Sequence, residues 1–506
     1  MARAASEQED VWIGLDLGTQ SVRVLAVTAA GRVAGSGSAA LASSRRGPRH
    51  EQDPETWWRA TATACRAALR GLAAERVRAV ATCATSGTIA LVDRHGTPLT
   101  PGLMYDDARA GAQARRVNEL GPPLRMSPGW GLPKLVWLLQ CEPGPPPGAR
   151  LAHQADLVTR RLAGHPVASD SSHALKSGYD LVRARWPHEL LAELDVPEDL
   201  LPDVVAPGTR LGEVGAEAAD QTQIPAGTPV IAGMTDGCAG QIAAGALREG
   251  QWSSVLGTTL VLKGVSRDLV CDPGGVLYCH RSPDGDWLPG GASSSGAGVL
   301  AARFPGRDLD ELTRRAAEHE GTDVIAYPLV SRGERFPFAA PDAAAFTLGE
   351  PGSDGEHAAA LLAGLACVER LCFDCVDLLG APTGGELSLT GGAARNTYWC
   401  RLRADMLGRP VRLLESAESA FGMAILAAAG EGRLAAAAGE GRLAAAAGEG
   451  RLAAAARRMV RVREVIEPRR DPQRLRERYV SLLSELERRG WLGAELADHA
   501  RARAGG

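Results

Sequence analysis

Val11 to Val27 read VWIGLDLGTQSVRVLAV, two apolar runs joined by a short polar turn. The pattern predicts a buried strand, a tight turn and a second strand. The first run ends at Asp16, and a carboxylate on a buried strand needs a partner or a metal to offset its lost hydration. Gly18 lets the backbone turn tightly and approach a ligand, while N–H and hydroxyl groups of Thr19, Gln20 and Ser21 can face phosphate oxygens. A P-loop is excluded. That motif runs GxxxxGK and a hydroxyl residue into a helix, whereas a strand follows here with no lysine nearby.

The pattern returns at Gln251 to Lys263, QWSSVLGTTLVLK, with Gly257, Thr258 and Thr259 between apolar runs. Two such hairpins, far apart in the chain, predict two similar domains facing each other across a nucleotide. A chain of 506 residues also exceeds the usual size of one core. Hydrophobic residues at 45% and charged residues at 23% fit a globular protein, and a net charge of -4 gives no electrostatic case for nucleic acid. No apolar run is long enough to span a membrane, and MARAASEQED has no signal-peptide core, so a cytoplasmic protein is expected. Cys372 and Cys375 form a CxxC pair inside an apolar helical pattern, without the further ligands a zinc site needs. Buried free thiols are the expectation.

Further along, Asp53-Pro54-Glu55 opens a helix, Arg76 to Thr82 reads as a strand, and Cys83 to Thr88 is the loop after it, carrying Ser86. Met104-Tyr105 reads as a short strand that stays extended to Arg109, which sets Asp107 and Arg109 on one side. Polar groups at strand ends are where open sheets bind ligands. Tyr105 fits beneath a small polar ligand or, equally, in the core or at its rim. Asp236 stands at the start of a small-residue helix, where it can cap the helix for about 1 kcal/mol or act as a general base. One carboxylate serves both roles poorly. Gly391-Gly392-Ala393-Ala394-Arg395-Asn396 turns from a strand into a helix, and its glycines admit a base and ribose against bare backbone. The unit GEGRLAAAA occurs from Gly430, Gly439 and Gly448 and reads as a frayed helical insertion at 430–456. The charged tail, 468–506, has Leu475, Tyr479, Leu482, Leu483 and Leu486 at helical spacing.

Asp16 to Ser21, Gly233 to Gly237, Gly257 to Thr259 and Gly391 to Asn396, in this order, resemble the motifs of the FGGY carbohydrate kinases, part of the actin-like and hexokinase-like ATPases. The resemblance runs from about Val11 to about Arg470. It implies an α/β fold of two ribonuclease-H-like domains with an interdomain cleft, residues 10–247 on the sugar side and 248–467 on the nucleotide side. It implies ATP and Mg²⁺, with closure of the domains over both substrates. By that resemblance Asp236 is the catalytic base, and Asp16 is the second catalytic carboxylate and the residue that holds the metal. Gly18, Thr19, Gln20, Gly257, Thr258 and Thr259 surround the phosphates, and Gly391, Gly392 and Asn396 lie near the adenosine. Ser86, Tyr105, Asp107 and Arg109 are the sugar-side candidates. The implied partners are a small sugar and ATP, with a homodimer as an assembly the resemblance allows.

Within the family, Ala84 to Thr88, Leu103 to Arg109, Leu175 to Asp180 and Ser254 to Lys263 look most similar to the D-ribulose kinase branch. The expected reaction is therefore phosphorylation of D-ribulose at O5. Xylulokinases are the alternative, and they usually carry a Gln-Met-His type of sequence where Ser86-Gly87-Thr88 stands. Glycerol kinases carry an Arg-Glu pair there, which is missing here. A sensor need not keep both Asp16 and Asp236, and a filament protein would not need the sugar-side cluster.

Overall fold

A computed structural model describes residues 9–122, 124–141, 144–432, 450–469 and 473–505. The chain divides into two compact units. The first comprises Met1–Gly245, His280–Gly285 and Ser416–Val460, and the second Ala246–Cys279, Asp286–Glu415 and Arg461–Gly506.

The first unit is built on the opening hairpin. Strand Val11–Leu17 pairs antiparallel with Ser21–Thr28, which pairs antiparallel with Val33–Ala40. On its other side Val11–Leu17 runs parallel to Val77–Ala84, followed by parallel Pro229–Ile231 and the antiparallel edge strand Arg210–Glu213. Register shows what covers each face. Gly14, Leu25 and Ser36 lie in one cross-strand row. Gly14 lies under the backbone of helix Ser419–Glu431, so close that a Cβ would collide with Ala420. Gly35 and Gly37 point the opposite way, against Ala68 and Ala64 of helix Pro54–Ala68. Both faces are therefore covered, which is why Val11–Leu17 is a near-continuous apolar run rather than an alternating one.

The second unit repeats this plan. Trp252–Leu256 pairs antiparallel with Leu260–Gly264, and that strand with Trp287–Ala292. Parallel strands Leu387–Thr390 and Val411–Leu414 follow on the other side, then antiparallel Val462–Ile466. The 25-residue helix Asp354–Leu378 is buried along most of its length, as a helix apolar nearly all round should be. Tail helices Gln473–Arg488 and Ala494–Gly505 belong to this unit, and Tyr479 OH donates to Asp374 Oδ2 of the long helix at 2.6 Å.

All ten cysteines are free, and Cys372 and Cys375 are buried in the long helix. Among the described residues no helix is long and apolar enough to cross a membrane. Of the 430–456 repeat, residues 433–449 lie outside the described residues. The extended reading of 104–109 needs correction. The strand there is Gly102–Leu103, and the chain then turns, with Asp107 N–H donating to Met104 O at 3.0 Å. Lys134 takes the carbonyls of Leu103 and Met104 that a longer strand would have given to a neighbour.

Candidate active site

Parallel register brings Asp16 and Asp236 to one end of the first unit's sheet. Leu17 pairs with Ala84, and Ala84 bridges in parallel to Thr235, immediately before Asp236. Asp16 ends the hairpin's first strand, and Gly18 N–H donates to Ser21 O at 3.1 Å to close the turn. Asp236 is the first residue of helix Asp236–Ala243 rather than its N-cap, a position held by Thr235 with no side-chain capping bond. The Thr235 hydroxyl instead meets Ser172 Oγ at 3.2 Å. Asp236 Oδ1 accepts from Gly237 N–H at 2.8 Å, so one oxygen of the carboxylate serves the first turn.

The two carboxylates feel each other. Burial and then the charge of Asp236 push the Asp16 carboxyl up to about 7, with Glu418 adding to the rise. The Cys83 thiol, 3.6 Å from Asp16 Oδ1, and the Arg23 guanidinium act the other way. Burial and these carboxylates hold Cys83 well above the ordinary thiol value, so it remains a donor. Glu418 lies just before helix Ser419–Glu431, and Ser419 Oγ donates to Asp236 O at 3.2 Å. A divalent cation would relieve such a pair. Among the described residues no three His, Cys, Asp or Glu side chains are grouped to hold a metal by themselves.

Gln52 fixes the turn that follows Asp16 from behind. Its Nε2 donates to Thr19 O at 2.7 Å and to Ser43 Oγ at 2.8 Å, while its Oε1 accepts from Trp57 Nε1 at 2.7 Å. Thr19 and Gln20 remain toward the surface.

In the second unit Gly391 packs against the backbone of Leu256, the residue just before the turn Gly257-Thr258-Thr259. Gly391 has φ 83°, and a Cβ there would stand 2.6 Å from Leu256 O, so glycine is required. Gly257 and Gly392 face open space instead. The turn is braced by Ala297 N–H, which donates to Gly257 O at 2.8 Å. The glycine- and serine-rich segment behind it is held by buried Glu334, which accepts from Ser293 Oγ, Ser294 N–H and Tyr327 OH at 3.0, 2.6 and 2.8 Å. Asn396 is the N-cap of helix Thr397–Leu407, its Oδ1 accepting from Trp399 N–H at 2.9 Å.

The sugar-side candidates divide. Asp107 is buried and committed: Arg109 Nε donates to it at 2.9 Å and His50 N–H at 2.7 Å. Burial opposes ionisation, yet these donors hold its carboxyl below the ordinary range. Arg109 also bonds Glu51 at 2.6 Å and stacks on Trp137 at 4.8 Å. The two form an internal pair rather than facing outward together. Tyr105 is 45% exposed. Ser86 Oγ is buried and without a partner among the described residues. Its loop is anchored by Gln154, whose Oε1 accepts from Thr85 Oγ1 at 2.8 Å while its Nε2 lacks a partner among the described residues.

Gln52, Lys134, Gln154 and Glu334 escape a sequence reading, because each acts on backbone or side chains distant in the chain. Only the lone lysine in the apolar run GLPKLVWLLQ, residues 131–140, was a local signal. A cavity of about 470 Å³ in the first unit, lined by Arg94, Arg150, Asp156 and Arg160 among others, contains none of the candidate residues.

Comparison with known proteins gives two family matches. Residues 11–243 match the N-terminal domain of the FGGY family of carbohydrate kinases, and residues 270–431 match its C-terminal domain. A xylulose kinase of Streptomyces coelicolor is 32% identical over 434 residues, 82% of this chain and 87% of that protein. A xylulose kinase of Escherichia coli is 28% identical over 424 residues, covering 79% and 85%. The crystal structure of xylulose kinase from Rhodospirillum rubrum superposes with a TM-score of 0.80 at 25% identity, covering 94% of this chain and 99% of that one. These relatives overturn the D-ribulose kinase branch expected from Ser86-Gly87-Thr88 and its neighbours. That expectation rested on short loops, and here such loops are held by remote residues such as Lys134 and Gln154, so their local sequence is a poor reporter of the sugar.

Proposed function

The chain belongs to the FGGY family of carbohydrate kinases, and on that premise we propose that it transfers the γ-phosphoryl group of ATP to a terminal hydroxyl of D-xylulose. The observation that carries the site assignment is the pairing of Asp16 with Asp236, close enough for one charge to raise the proton affinity of the other. Asp236 takes the proton of the attacking hydroxyl as its oxygen bonds to the γ-phosphorus and the bond to the bridging oxygen breaks, releasing ADP. The bond from Gly237 N–H to its Oδ1 holds the carboxylate in place at the start of the helix. Asp16 would hold Mg²⁺ through water, the ion neutralising charge on the transferring group. Thr19 and Gln20 from one hairpin, with Gly257, Thr258 and Thr259 from the other, supply N–H and OH donors to the phosphates. Gly391 and Gly392 provide side-chain-free backbone for the nucleoside, and Asn396 orders the helix beside them. Ser86 contacts the sugar, Tyr105 lies at its rim, and Asp107 with Arg109 shapes the wall.

The test is ADP release with ATP and Mg²⁺ against D-xylulose, D-ribulose, L-ribulose and glycerol, with a no-sugar blank. The strongest response is expected from D-xylulose. A response confined to another sugar overturns the acceptor and keeps the kinase, whereas silence throughout overturns both.

A further inference from the structure

Lys134 lies on helix Gly131–Gln140 and is fully buried. Lysines ordinarily keep the ammonium in water while burying the stem. Here Nζ donates to Gly87 O at 2.6 Å, Met104 O at 2.8 Å and Leu103 O at 3.2 Å, so three donors meet three carbonyls. Two of the segments that carry sugar-side candidates are thereby joined: the loop with Ser86 and the turn with Tyr105 and Asp107. The sheet does little to join them, since strands Ile89–Val92 and Gly102–Leu103 share a single paired position, Ile89 with Leu103.

We propose that Lys134 is a positioning residue for the acceptor sugar, its ammonium fixing the 85–88 loop against the 103–107 turn so that Ser86 Oγ is presented to a hydroxyl. This rests on the sugar-side reading given above. The unpartnered Ser86 Oγ is the group left to bond a ligand once the loop is fixed. Its own carbonyl accepts from Lys176 Nζ at 3.4 Å. The charged groups around Lys134 are Asp106, Asp107 and Arg109 from the turn and Lys176 from the short helix Leu175–Ser177. Burial pushes the Lys134 ammonium down to about 7, Asp107 and Asp106 opposing the fall and Lys176 and Arg109 deepening it. A neutral amine has two N–H donors for three carbonyls, so the clamp loosens as pH rises through that value.

The experiment uses the full chain with Lys134→Met and Ser86→Ala, assayed with D-xylulose or with whichever sugar the acceptor panel selects. For K134M the KM for the sugar should rise about tenfold, the loss of one or more charge-assisted bonds. The KM for ATP and kcat should stay within about threefold, a split that a merely structural role would not produce. An unchanged sugar KM in folded K134M overturns the clamp. If S86A raises the sugar KM and K134M does not, the clamp falls and the sugar-side reading stands. If K134M raises it and S86A does not, Ser86 is not the group presented, and the proposal fails in that part. Should K134M not fold, the wild-type sugar KM between pH 6 and 8.5 decides: it should climb above about pH 7 with the ATP KM flat. A flat sugar KM overturns the clamp.

Discussion

At the residue scale, Asp16 and Asp236 make opposite demands on stability and function. Asp16 binds its proton more tightly folded than unfolded, its carboxyl being raised from the ordinary 3.8 to about 7 by burial and by Asp236. Folding therefore retains a proton the unfolded chain has lost, and stability falls as pH rises across that window. Asp16→Asn removes the penalty. The variant should melt higher than wild type at pH 8 by roughly 2 °C or more, with the difference shrinking toward pH 4, as thermal melts at several pH values will show. Mg²⁺ with ATP should stabilise wild type more than D16N, which keeps the other nucleotide contacts but loses the metal-holding carboxylate. Asp236→Asn should lower kcat by about 10²- to 10⁴-fold, the range of a general base, with ATP binding retained when measured by calorimetry. Near-normal turnover would mean that the carboxylate serves only the helix.

At the scale of elements, the second unit's hairpin at 252–264 is fastened to two helices by a buried ion pair. Arg403 Nε donates to Glu369 Oε2 at 2.6 Å, and Arg403 Nη2 donates to Ser254 Oγ on the hairpin at 2.8 Å. Glu369→Ala strands a buried guanidinium and should cost about 3–5 kcal/mol in urea unfolding of the second unit. The double variant with Arg403→Met should recover much of that loss, since replacing both charges by apolar groups is often near neutral. Such bracing marks the limit of a sequence reading. The hairpins at 11–28 and 252–264 are legible because strand, turn and strand are contiguous, and Asp16 and Asp236 because each stands at the end of a recognisable element. Glu369 reads as one more helical residue until Arg403 is placed beside it. The turn at 104–107 reads as a strand because the lysine that captures its carbonyls lies 30 residues away from Met104.

At the scale of the molecule, the second unit repeats the strand order of the first: three antiparallel strands, two parallel ones and an antiparallel edge. The repetition was legible from two glycine-turn hairpins, since each hairpin seeds a sheet. Both carboxylates and the sugar-side candidates lie on the first unit, and the Gly257 and Gly391 turns on the second. The kinase branch was misread, because that reading rested on a few short loops held by partners far along the chain. The most direct measurement follows labelled γ-phosphate from ATP and Mg²⁺ in the presence of D-xylulose. Label should appear in a sugar monophosphate in proportion to ADP for wild type, and no labelled sugar should form with Asp236→Ala. Label recovered only as inorganic phosphate, or an Asp236→Ala variant that still labels the sugar, would contradict the assignment of this site to sugar phosphorylation.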